Sequence, residues 1–501
     1  MHADAIRIIN DIEERCDTHK LLYRGVSYWP LCRLRLWTAL MCTLVLAKKA
    51  GDPASIANTP PSLPNAGQVN AEFFGPQSLG LLRTHPNGRD DPLDSGNRTP
   101  QALFFARPEE YSDKIHGKAF AKTIDSVFEN ALTDYSATKL EMADPKAMGF
   151  DRHYPSLFLH LEHASHGVIF EPPGKLEHFP LLETALEQSG TGLHLNPAEL
   201  TADMGKIFYY ARIFEKTLRL MGPRAFFLSV YYHNIGMAWM LACSWAGVTS
   251  VDLQHGRLGP HHGAYTHLSA APAEGYHLMP DVIWCWGDQT KHDIEVAKNE
   301  ACTRHGGIVG GNAWLHKWRY GNTEGLEPPE AAKFASEISP RKKILVSLQP
   351  LESPINATLL QAMQQSPPDW LWLIRLHPLR RHTAPEISAI LNNAGVSNFE
   401  IQHSTTLPLF SLLKIVDHHV TVFSSVVIEA AAFGVRTSLI GEEGRDIFKA
   451  QIEQGICRYT TKGVDLLDHV KEAALISQLT TTDDFMDMSE YLVTETLESI
   501  L

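Results

Sequence analysis

At 501 residues the chain is long enough for two or three domains, each with a core of its own. Hydrophobic residues at 44% and charged residues at 20% are the make-up of an ordinary soluble globular protein. A net charge of −13 excludes a general nucleic-acid binder, because a phosphate backbone calls for a basic footprint.

The opening Met1-His-Ala-Asp lacks a basic segment followed by an apolar one, so no signal peptide is expected. The seven cysteines are odd in number and form no C-x-x-C, which predicts buried thiols in a reducing cytoplasm. Ile6, Ile8, Ile9 and Ile12 among charged neighbours predict an amphipathic helix over 4–20. Pro30 then opens an apolar helix to Ala47, with Arg33 and Arg35 at its start and Lys48 and Lys49 at its end. Its apolar run, about a dozen residues, is too short to span a bilayer. Two readings stand: a core helix with a wet stripe, or peripheral docking on anionic headgroups at the inner face of the membrane.

Residues 51–100 turn to Pro, Gly, Asn and Ser and read as a flexible insertion. A strand is predicted over 101–106, a polar loop over 107–122, a helical stretch from Asp125 through Lys139, a strand over 156–161 and a helix over 197–221. Strand 224–231, helix 233–245 and strand 247–253 form a βαβ unit that ends in Gln254-His255-Gly256. Two further strands follow, over 280–287 and 307–312. The polar stretch 321–341 reads as a linker. It separates an N-terminal Rossmann-like domain, 1–320, from a C-terminal one, 342–480, and a helix is predicted within 481–501.

The second domain carries two polar strand ends. Trp370-Leu-Trp-Leu-Ile-Arg-Leu-His377-Pro378 is an apolar run closed by a histidine in front of a proline. His418-His-Val-Thr-Val-Phe-Ser424-Ser425 runs into a helix in which Glu429 falls one turn past Ser425. Strands joined through helices predict a parallel sheet, whose ligands gather at the carboxyl ends of the strands. His377, Ser424 and Ser425 are therefore candidates for holding a phosphate, since a helix start offers free N–H groups, with Glu429 on a ribose hydroxyl. The plainer alternatives are a strand-ending His-Pro, an N-cap serine and a solvent-facing glutamate.

His255, His261, His262 and His267 crowd one stretch, but no H-x-x-x-H or H-E-x-x-H spacing occurs and no metal is expected. A glycine-bounded loop lining a cleft, with His255 or His262 as general base, is the more economical reading. No D-x-D follows a strand, so helix dipole and fixed donors replace a divalent cation in the expected mechanism.

Gln-His-Gly after a strand, followed by His-Pro and Ser-Ser…Glu, resembles the GT-B glycosyltransferases of bacterial surface polysaccharides. The likeness is to capsule Kdo transferases, bacterial sialyltransferases and teichoic-acid polymerases, and it covers roughly residues 224–460. Gln254 stands where the last group has Trp, and no Asp-containing acceptor-base motif of the sialyltransferase kind is present. The resemblance implies an α/β fold of GT-B type, two Rossmann-like domains facing across a cleft. It also implies a metal-independent transferase with no cofactor, moving a sugar from a nucleotide donor, CMP-linked by preference, to a glycan or lipid-linked glycan. The implied donor-site residues are His377, Pro378, Ser424, Ser425 and Glu429, with His255 as base and His377 assisting the leaving group. Gln254, Gly256, His261, His262 and Asp125 are the residues expected near the acceptor. A CDP-polyol phosphotransferase, a non-catalytic nucleotide- or glycan-binding protein and a UDP-sugar epimerase of the same shape are the rivals.

Overall fold

The computed structural model describes residues 2–50, 100–142, 151–170, 172–321, 323–351, 353–473 and 485–501. The expected insertion, 51–100, lies outside the described residues except for Pro100. The chain forms two compact units: residues 1–113, 118–311 and 491–501 make the first, and residues 114–117 and 312–490 the second.

The first unit is built on seven parallel strands: β1 (Ala102–Ala106), β2 (Ala137–Met142), β3 (Leu157–Leu159), β4 (Ala225–Leu228), β5 (Thr249–Leu253), β6 (Val282–Cys285) and β7 (Gly306–Val309). Their order across the sheet is β7-β6-β5-β4-β1-β2-β3. Both faces of such a sheet are covered, so its strands read as unbroken apolar runs; every residue of β1 and β4 is buried. Helices Pro197–Met221 and Asn234–Ala246 flank β4. The first starts on Asn196, whose side chain accepts from two backbone N–H groups, a cap that contributes about 1 kcal/mol. It stops at Gly222, held at φ 61°, which glycine adopts without strain. Trp239 stacks on Phe214 at 3.9 Å and on Phe226 at 4.5 Å, pinning helix to helix to sheet.

The second unit repeats the plan with six parallel strands: β8 (Lys342–Ser347), β9 (Trp370–Arg375), β10 (Phe399–Glu400), β11 (His418–Thr421), β12 (Thr437–Leu439) and β13 (Cys457–Tyr459). Their order is β10-β9-β8-β11-β12-β13. Each sheet therefore starts in its middle, grows to one edge and returns to grow to the other. The reversal falls between β1 and β4 in the first unit and between β8 and β11 in the second. Those are the topological switch points, where open parallel sheets bind ligands.

Several elements depart from the sequence-based expectation. The helix expected through Lys139 is Lys122–Asp134 only, and the chain then enters β2. Strand β2 was hidden by its charged residues, for Lys139 and Glu141 are wholly buried. Residues 321–341 belong to the second unit and contain the helix Pro329–Ile338. The terminal helix is Leu492–Ile500, and it returns to the first unit, where the Thr496 hydroxyl donates to the Val309 carbonyl of β7 at 2.9 Å. Among the described residues no helix is long and apolar enough to cross a membrane. Arg33 and Arg35 are not open to headgroups: Arg33 is 2% exposed and pairs with Glu13, while Arg35 pairs with Asp203 and Glu199.

Candidate functional site

Three neighbouring strands of the first sheet end in polar residues. β1 delivers Arg107, β4 delivers Ser229 through His233, and β5 delivers Gln254-His255-Gly256. Between β4 and the next helix, Val230 sits at φ 65°, a left-handed conformation costly for a β-branched residue. Asp252, buried at the end of β5, holds that turn. It accepts from the Tyr231 backbone N–H at 3.4 Å and from the Tyr265 hydroxyl at 2.7 Å. Burial pushes the Asp252 carboxyl up to about 7. Helix Asn234–Ala246 packs directly onto the turn, since a Cβ on Gly236 would stand 2.3 Å from the Tyr231 carbonyl oxygen.

His255 is partly buried with its Nε2 3.2 Å from the Tyr232 hydroxyl. Burial, reinforced by the charge of Arg107, lowers its pKa to about 4, so the ring is neutral at physiological pH. The same two causes bring His233 to about 4. The Nδ1 of His233 accepts from the Gly236 N–H at 3.1 Å, so the neutral ring carries its proton on Nε2. His262 packs against Tyr232, Tyr265 and Trp37 with ring centroids 5.7, 4.9 and 5.1 Å away. This aromatic wall is braced from the N-terminal helices His2–Arg15 and Trp29–Ala50. The Arg33 guanidinium donates to the carbonyls of Gly263 at 3.0 Å and Thr266 at 2.7 Å.

The other expected acceptor residues are placed differently. Gln254 is 3% exposed and spends its amide on the backbone, donating to Gly256 O at 2.8 Å and accepting from Trp286 N–H at 2.7 Å. It shapes the turn in which Gly256 is half-buried. His261 stacks on His267 at 5.6 Å beside a groove of about 590 Å³ along helix His2–Arg15. Asp125 does not line an open surface: it is wholly buried, 2.6 Å from Lys139 Nζ, and accepts from the Ala121 N–H at 2.8 Å. Lys139 and Arg152 both lie over the Tyr111 ring, and Arg152 and the Tyr111 hydroxyl both reach Glu141 at 2.6 Å, so Asp125 belongs to a buried charge network.

In the second unit, His377 follows β9 and Ser424 and Ser425 follow β11, on either side of β8 at the carboxyl edge of the sheet. His377 is half-buried and its Nδ1 accepts from the Leu379 N–H at 3.3 Å, while Pro378 is exposed and opens a short 3-10 turn. Ser424 accepts from the Val426 N–H at 3.3 Å; Ser425 is exposed and its side chain makes no capping bond. The helix they start, Val426–Ala432, is seven residues long and carries Glu429 half-buried. Beneath this edge runs a layer of buried polar groups. His419 lies 2.9 Å from Thr437 Oγ1 and 3.0 Å from Ser347 Oγ, and His418 lies 2.9 Å from Ser438 Oγ.

Arg107, Glu110, Tyr232 and His233 stand at the first switch point, and the sequence alone did not single them out. The available signal was an arginine directly after the first strand of the domain, but which strand end neighbours which depends on strand order.

No protein-family model and no curated protein matches the sequence. Among solved structures, UDP-GlcNAc 2-epimerase from Neisseria meningitidis bound to UDP-GlcNAc aligns with a TM-score of 0.50 and 11% identity, over 80% of this chain and 98% of that one. A putative UDP-N-acetylglucosamine 2-epimerase from Listeria monocytogenes aligns at 0.49 and 14%, over 80% and 96%. The glycotransferase of kitacinnamycin aligns at 0.44 and 13%, over 81% and 100%. The first of these likenesses is one of fold. With the two parallel sheets it makes the chain an α/β protein of GT-B type, built of two Rossmann-like domains.

Proposed function

We propose that the protein is a glycosyltransferase that moves a sugar from a nucleotide-linked donor to a hydroxyl of a glycan acceptor. The observation that carries this reading is the neutral His255 imidazole paired with the Tyr232 hydroxyl at the carboxyl end of β5. A neutral ring nitrogen can take a proton; a solvent-facing, protonated one cannot. In the transfer, the acceptor oxygen forms a bond to the anomeric carbon and the bond from that carbon to the donor phosphate breaks. The acceptor proton passes to His255 Nε2, directly or through the Tyr232 hydroxyl, and the nucleotide leaves with its phosphate. At a pKa of about 4 the imidazole is a weak base, so a bound anion that offsets the Arg107 charge strengthens it.

The second domain supplies the donor grip in this reading. His377, Ser424 and Ser425 hold the donor phosphate, Pro378 fixes the turn that carries the histidine, and Glu429 takes the ribose. The strand order of the second sheet supports nucleotide binding at that edge. The resemblance of the His-Pro and Ser-Ser…Glu motifs favours a CMP-sugar and a bacterial surface glycan made at the inner face of the membrane.

The fold likeness to UDP-GlcNAc 2-epimerases favours one second reading, an epimerase acting on a UDP-sugar. A single comparison separates the two. The protein is incubated with CMP-, UDP- and GDP-sugars, with and without a mixed glycan acceptor, and free nucleotide and epimerised sugar are measured. Nucleotide release that depends on acceptor supports transfer, whereas acceptor-independent conversion of a UDP-sugar overturns it. A thermal-shift screen identifies the donor first, since a ligand at a hundred times its Kd adds about 2.7 kcal/mol of stability.

A further inference from the structure

Arg107 stands at the carboxyl edge of the first sheet, in a long ion pair with Glu110. Its side chain is only 24% exposed, and its Nε is buried with no acceptor. Glu110 Oε1, itself without a hydrogen-bond donor, lies 3.7 Å from a terminal Arg107 nitrogen, an ion pair too long for a hydrogen bond. The other Glu110 oxygen accepts from the Arg107 backbone N–H at 2.7 Å, so it serves the turn and not the guanidinium. Burial pushes the Glu110 carboxyl up to about 7. Asp252 is raised as far, and His233 and His255 are held neutral.

A guanidinium offers five donors and keeps its proton. Leaving its Nε–H buried and unmet is costly, and native structures rarely tolerate this without a reason. Here the unmet group sits beside the switch point, next to a strained turn and a histidine whose free Nε2–H is a further donor. Helix Asn234–Ala246, which that histidine caps, also starts there.

We propose that Arg107 anchors an anionic group, a carboxylate or phosphate borne by the acceptor sugar, with His233 as a second donor, so that the first domain selects an acidic glycan. The proposal rests on the reading that the first domain takes the acceptor. A planar carboxylate matches the guanidinium fork with two parallel hydrogen bonds. It would offset the Arg107 charge, which after burial is the second cause of the low His255 pKa, so an acidic acceptor would raise the basicity of the group that deprotonates it. Arg107 is then a specificity-determining residue, and its Nε–H is met only when the site is filled.

The test uses the full chain and needs neither donor nor turnover, so it stands apart from the transferase reading. Thermal shifts are recorded with D-glucuronate, with D-glucose and with inorganic phosphate, on the wild type and on Arg107→Gln. The expected result is stabilisation by glucuronate but not by glucose, with apparent affinity falling about 10–100-fold in the variant, as for a lost charge-assisted pair. Arg107→Gln without ligand should melt no lower than the wild type, because it removes a buried unmet donor and only a long ion pair. A clear fall in its melting temperature would make Arg107 a structural residue and overturn the proposal. Equal responses to glucose and glucuronate, or a variant that still responds to glucuronate, would also overturn it. An Arg107-dependent response to phosphate alone would assign the anion to a donor phosphate and not to the acceptor.

Discussion

The two sheets end alike in topology and differently in chemistry. At the edge of the first, His233, His255, Glu110 and Asp252 are all driven toward their neutral forms by burial, around an arginine whose Nε has no acceptor. At the edge of the second, His377, Ser424 and Ser425 are half-buried or exposed and make only local capping bonds or none. Groups already stripped of water suit a proton transfer; accessible hydroxyls and a ring nitrogen suit a ligand that comes and goes. One fold thus hosts a prepared edge and an adaptable one.

The sharpest way to break this contrast is His255→Ala. Turnover should fall by about 10²–10⁴-fold, the usual worth of a general base, while nucleotide affinity stays near wild type. Steady-state rates alongside donor titration check both halves; unchanged turnover would strip the first edge of its role.

Glu13→Ala addresses what prepares that edge. The side chains of Glu13 and Arg33 are each 3% exposed, and Glu13 also accepts from the Trp29 indole at 2.8 Å. Removing one partner of a buried pair should cost about 3–5 kcal/mol and loosen the loop that carries His262. Denaturant unfolding measures the loss, and hydrogen exchange over residues 257–266 shows whether the loop follows.

Much of this architecture is legible in the sequence, and the exceptions share a cause. Strands β1, β4, β5, β8 and β9 announce themselves as apolar runs because both of their faces are covered. Strand β2 does not, since Lys139 and Glu141 break its run and are tolerated only through partners far along the chain. His255 is visible because Gln-His-Gly follows a strand. Arg107 is not, because its meaning depends on β1 neighbouring β4. Asp125 shows the reverse: a polar residue at the start of an expected helix, read as lying near the acceptor, is buried against Lys139.

Acid should separate the two units. Folded His419, at about 3, lies below the ordinary histidine value of 6.5, and His418 is lowered well below it. Their stabilising effect is therefore complete above pH 6.5 and is lost as pH falls toward 3, by up to about 1.4 kcal/mol per unit for each ring. His233 and His255 behave likewise down to about 4. In the first unit, however, Glu110 and Asp252 are raised to about 7, and such carboxyls gain stability over the same fall in pH. The second sheet should open first between pH 6.5 and 4. Hydrogen exchange followed separately over β5 and β11 decides this, and earlier opening of β5 would contradict it.

The smallest effects belong to the second edge. His377→Ala should weaken nucleotide binding by about tenfold, the worth of one charge-assisted hydrogen bond, and Ser425→Ala by less. Both should melt within about 0.5 kcal/mol of the wild type, because neither side chain supports the core. Unchanged affinity in His377→Ala would remove the phosphate assignment.

The helix Leu492–Ile500 has a consequence for how the protein is made. It belongs to the first unit and bonds to β7, the edge strand of that sheet, yet it leaves the ribosome after every residue of the second. A nascent chain therefore lacks this bond to the edge strand of its first sheet throughout synthesis of the second, and incompletely covered edges invite pairing with other chains. Translation order places this element of the first unit after the whole of the second. Stalled or prematurely ended chains should be the aggregating species, even when the second unit within them has already folded.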